Sequence, residues 1–113
     1  MLVGGRAVET STPIAVRLPY DGSAVGTVFQ ADSEIVDQAV AAARVAAPVM
    51  RALTLDERSA ILRRAYERLL AEKEEMALAI SSECGKPIRE ARLEVDRSAQ
   101  TLLFAAEEAH RLH

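Results

Sequence analysis

Cysteine is almost missing from this sequence: Cys84 is the only one among 113 residues. No internal disulfide can form, which fits a reducing compartment. Histidine is nearly as scarce, with only His110 and His113, and no ligand cluster with metal-site spacing is visible. Long apolar runs are absent as well, and none approaches the roughly 20 residues needed to cross a bilayer. Met1 is followed by Leu2-Val3-Gly4-Gly5, not by the basic segment and apolar core of a secretory leader. Nor is there an excess of positive charge, since the net charge is -3 and the isoelectric point near 5.4. That argues against a nucleic-acid partner, and the absences together point to a cytoplasmic protein. No internal repeat, low-complexity tract or extended heptad register is present.

What is present is an ordinary globular balance, half hydrophobic and 27% charged. The length fits one domain, and a chain of this size typically buries roughly two-thirds of its unfolded surface. The organising stretch is Thr54 to Pro87, which reads as one long amphipathic helix. Thr54 and Glu57 have capping-box spacing, in which the threonine oxygen accepts from the N3 amide and the glutamate reaches back to the cap amide. Leu55, Ile61, Leu62, Ala65, Leu69, Met76 and Ile80 then recur at mostly three- and four-residue steps and form an apolar stripe. Gly85 can take the left-handed conformation that ends a helix, and Pro87 can open the next.

Ahead of this helix, Met1 to Val8 reads as a short apolar segment broken at Gly4-Gly5, and Glu9 to Pro13 as a connector. Alternation in Ile14, Val16, Leu18 and in Val25, Thr27, Phe29, separated by Pro19-Tyr20-Asp21-Gly22-Ser23, predicts a β-hairpin. A first helix capped by Asp32 or Ser33 carries Ile35, Val36, Ala39, Val40, Ala43 and Ala47 inward, and Pro48 ends or kinks it. After Pro87 a third helix carries Ile88, Ala91, Val95, Leu102, Leu103, Ala106 and Ala109, with Glu107 and Arg111 four apart as an ion pair, and still reads as helical at His113. The expected fold is therefore α+β and helix-rich: strand and β-hairpin over 1–31, then three long helices over 32–113, in one segment. The last helix meets no stop signal, and the helices offer more apolar stripe than one hairpin covers, so the chain looks cut from a larger one.

The order and wording of these elements resemble a known family. Leu18–Val28 (LPYDGSAVGTV), Val36–Leu53 (VDQAVAAARVAAPVMRAL), Glu57–Ile88 with its Gly85-Lys86-Pro87, and Glu94–Ala109 (EVDRSAQTLLFAAEEA) together resemble the N-terminal segment of the NAD(P)-dependent aldehyde dehydrogenase superfamily. The resemblance covers essentially the whole chain. It implies the N-terminal part of a cofactor-binding domain in an α/β enzyme several times longer. The catalytic domain and most of the cofactor-binding domain would lie outside these residues. Such an enzyme oxidises an aldehyde to a carboxylic acid, or in some members a thioester, with NAD or NADP. A cysteine thiolate attacks the carbonyl, an amide holds the oxyanion, and a glutamate activates water. None of those residues falls in the matched part, so the segment alone is expected to bind no cofactor and to be inactive. The last helix is most similar to members that act on small polar, hydroxylated, phospho- or phosphono-aldehydes.

Four constellations invite a functional reading. Cys84, in Glu83-Cys84-Gly85-Lys86-Pro87, does not match the family's catalytic motif. It also ends a helix, where the dipole disfavours a thiolate although Lys86 favours one, so it reads as an ordinary cysteine and not the nucleophile. Glu83, with the carbonyls of Val16 and Arg17, corresponds to a monovalent-cation site in some members. The clearest examples carry aspartate, and a solvated glutamate is the favoured reading. Glu107, His110 and His113 sit three apart on one helix and give a Glu-x-x-His pair, but the chain lacks the second Glu-x-x-His such sites require, and surface helix residues are the favoured reading. Arg58, Arg63, Arg64 and Arg68 could suggest phosphate binding, yet Glu57, Glu67 and Glu72 interleave with them and favour a salt-bridged face.

The sequence therefore reads as the N-terminal fragment of an aldehyde dehydrogenase, with the remainder of that chain, a small aldehyde and copies of itself in a homo-oligomer as partners. The reading from another class is a free-standing helical interaction module, its spare apolar stripe buried in a partner. A membrane-surface helix is disfavoured because the polar faces mix acid and base.

Overall fold

Two glycines with positive φ, Gly4 at 56° and Gly5 at 79°, turn the chain back on itself after two residues. Strands β1 (Leu2–Val3) and β2 (Arg6–Ala7) thus form a small antiparallel hairpin where the sequence showed only an interrupted apolar segment. The amino group of Met1 donates to the Val8 carbonyl at 3.0 Å, and Val8 N–H donates back at 2.9 Å. The expected hairpin follows as β3 (Pro13–Arg17) and β4 (Ala24–Phe29), paired antiparallel from Pro13 opposite Phe29 to Val16 opposite Gly26. The register shifts between Val16 and Arg17, where Arg17 pairs with Ala24 and Val25 is the extra residue.

The computed structural model describes residues 1–111, and four helices follow the strands. Helix α1 spans Ser33–Ala52; Asp32 caps it, its carboxylate accepting from Ile35 N–H at 2.9 Å. It runs through Pro48 for a further four residues, so the proline is accommodated and does not end the helix. Helix α2 (Leu55–Ala71) opens with the complete capping box: Glu57 N–H donates to Thr54 Oγ1 at 3.2 Å, and Thr54 N–H donates to Glu57 Oε2 at 2.7 Å.

The single long helix expected from Thr54 to Cys84 is two helices. Glu72, at φ -100° and ψ 17°, separates α2 from α3 (Lys73–Cys84). Hydrogen bonding persists across the break, from Glu72 N–H to the Arg68 carbonyl and from Met76 N–H to the Glu72 carbonyl, each at 3.0 Å. The axis is interrupted at one residue while the ladder is kept, and that is why the apolar periodicity passed through unmarked. Gly85, at φ 69°, closes α3 with its N–H on the Ser81 carbonyl at 2.9 Å. Pro87 then caps α4 (Ile88–Glu108). That helix stops short of the expected His113: Ala109–Arg111 form a turn in which Arg111 N–H reaches the Glu108 carbonyl at 2.8 Å. His113 itself lies outside the described residues.

Contacts divide the chain into two compact units, one of residues 1–17 and 23–52, the other of residues 18–22 and 53–113. The first holds both hairpins and α1, and no residue of α1 is buried. The second holds α2, α3 and α4 with the β3–β4 connection. Its fully buried apolar residues are Ala77, Ala91, Val95, Ala99 and Ala106, with Leu69, Ile80 and Ile88 packed partly buried beside them. All but one are alanines, and Ser59 of α2 is buried as well, so this unit is built by close approach of helices and not by large interlocking side chains.

Candidate functional site

The polar chemistry of the helical unit is concentrated between α3 and α4. Lys73 Nζ meets Asp96 at 2.7 Å. Arg92 grips Glu74 in a fork, Nε at 3.0 and 3.1 Å from the two carboxylate oxygens and Nη2 at 2.8 Å from one of them. Lys86 pairs with Glu94. Ser81 Oγ donates to the Lys86 carbonyl at 2.7 Å, which holds the α3–α4 turn. The hydrogen bond from Arg92 holds the Glu74 carboxyl below its ordinary value and raises the guanidinium in return. The hydrogen bond from Lys86 likewise lowers Glu94, and the amide of the capping box lowers Glu57. Each of these charges has an opposite partner at a half-exposed surface, so the arrangement fastens two helices.

The sequence-derived candidates fall on several elements. Cys84 is exposed, the last residue of α3. Glu83 beside it is exposed, and Val16 and Arg17 lie on β3. His110 follows α4 and places Nδ1 3.3 Å from Asp56 at the start of α2. Glu107 pairs instead with Arg63, at 4.0 Å. The expected Glu107–Arg111 pair does not form: the helix ends at Glu108, and Arg111 turns to Glu108 at 3.2 Å. Of the arginine cluster, Arg68 pairs with Glu72 at 3.0 Å and Arg63 with Glu107, as a salt-bridged face requires. Among the described residues no three His, Cys, Asp or Glu side chains are placed to hold a metal ion. No helix among them is long and apolar enough to cross a membrane.

The first unit carries a feature that sequence reasoning left out. An open apolar groove of about 620 Å³ runs along α1, lined by Gly4, Ala41, Ala42, Val45, Ala46, Val49 and Met50. A Cβ at Gly4 would stand 3.4 Å from that of Ala42, so β1–β2 closes one end. Of these residues the sequence stripe named none, because that stripe was centred on the neighbouring flank of the helix.

Comparison with known proteins places this fold. The sequence pattern of the aldehyde dehydrogenase family matches residues 6–113. The chain belongs to the aldehyde dehydrogenase family. It is 38% identical over 105 residues to a glutarate-semialdehyde dehydrogenase of Pseudomonas putida, covering 93% of this chain and 22% of that protein. It is 36% identical over 111 residues to the mitochondrial succinate-semialdehyde dehydrogenase of Rattus norvegicus, covering 98% and 21%. The crystal structure of an aldehyde dehydrogenase from Brucella melitensis biovar abortus superposes with a TM-score of 0.96 at 38% identity, over 99% of this chain and 24% of that one. The chain thus spans about a fifth of the length of the curated aldehyde dehydrogenases it matches, and corresponds to the N-terminal segment of the superfamily.

Among the described residues, the strand-to-helix step is not built as a phosphate cradle for a dinucleotide. Both sheets are two-stranded and antiparallel, and the one strand-to-helix step, β4 to α1 through Gln30-Ala31-Asp32, has no glycine. At the start of α1 the Ile35 amide is taken by the Asp32 carboxylate, so an anion there would meet like charge.

Proposed function

We propose that this chain serves as the N-terminal segment of an NAD(P)-dependent aldehyde dehydrogenase whose complete form oxidises a small aldehyde to a carboxylic acid. One observation carries the reading: a solved aldehyde dehydrogenase reproduces nearly the whole chain with a TM-score of 0.96, yet the match uses only 24% of that enzyme. On this reading the segment is a support. It holds no cofactor, Cys84 takes no part in the chemistry, and the 113 residues alone are inactive. Semialdehydes that end in a carboxylate are the first substrates to assay, because the relatives are named for glutarate and succinate semialdehydes. NAD and NADP both belong in the assay: one solved relative is an NAD-dependent benzaldehyde dehydrogenase and another an NADP-dependent enzyme. Glu83 acts as a solvated carboxylate, as its exposure supports. The cytoplasm and a homo-oligomer complete the proposal, checked by cell fractionation and native mass.

The test is the intact mass of the protein made from its own gene in its source cells, followed by assay with succinic and glutaric semialdehydes. A mass several times 12.2 kDa with aldehyde-dependent formation of NADH or NADPH is expected. A complete product of 12.2 kDa would sink the proposal and leave the interaction module, which the open groove on α1 otherwise favours.

A further inference from the structure

We draw no further inference here: the strongest candidate, the open apolar groove along α1 lined by Gly4, Ala42, Val45 and Val49, carries nothing, because nothing in the structure shows what covers it.

Discussion

Gly85 is constrained twice. Its φ of 69° is left-handed, and a Cβ there would lie 3.2 and 3.3 Å from Cβ and Cγ of Pro19. Gly85→Ala is expected to destabilise the helical unit by about 1–2 kcal/mol from the backbone alone, read as a lower urea midpoint. Thr54→Ala removes the side-chain acceptor of the α2 cap and is expected to cost about 1 kcal/mol, seen in the same melt. The titrations of Glu57, Glu74 and Glu94 set a pH dependence. All three are depressed below 4.5 when folded, so the unfolded chain takes up protons first. Their contribution is complete above about pH 4.5 and is lost as pH falls through the lower folded values. Stability followed by circular dichroism should therefore fall on acidification below that point, and Arg92→Ala, which deprives Glu74 of its fork, should flatten the fall. The capping box and the glycine stop were legible in the sequence because each is a local signal of four residues or fewer. The Gly85–Pro19 contact was not, since it joins residues far apart in the chain.

Among the elements, the break between α2 and α3 is the instructive one. Glu72 is neither glycine nor proline, and nothing local marks it. What distinguishes the site is that the next two residues, Lys73 and Glu74, both bind α4, to Asp96 and Arg92; the break follows from tertiary pairing. Pro48 shows the reverse case, a strong local signal overridden: α1 continues to Ala52 although the proline lacks an N–H for the Arg44 carbonyl. Pro48→Ala restores that donor and is expected to stabilise α1 by about 1–3 kcal/mol, checked by the thermal midpoint. The β1–β2 hairpin was missed because two strands of two residues leave no alternation to read, although Gly4-Gly5 is the turn chemistry such a hairpin needs.

A composition half hydrophobic with only alanines and one valine as buried apolar residues among those described leaves the 113 residues by themselves little margin over the entropy of ordering them. Expressed alone, the chain is expected to self-associate or to bind a hydrophobic dye strongly, measured by sedimentation and anilinonaphthalene sulfonate fluorescence. A monomeric, sharply cooperative melt with low dye binding would contradict this.

By itself the sequence determined the second hairpin, the existence of each helical stretch, the caps at Asp32, Thr54 and Gly85, and membership of the family, because these rest on local hydrogen bonding and on the order of short patterns. Only the tertiary structure decided where the long helix divides, which partner Glu107 and Arg111 take, and that no residue of α1 is buried. Those outcomes depend on what is packed against each residue, and α1 shows the limit most plainly: Val36 and Val40, which the periodicity sends inward, are about half exposed.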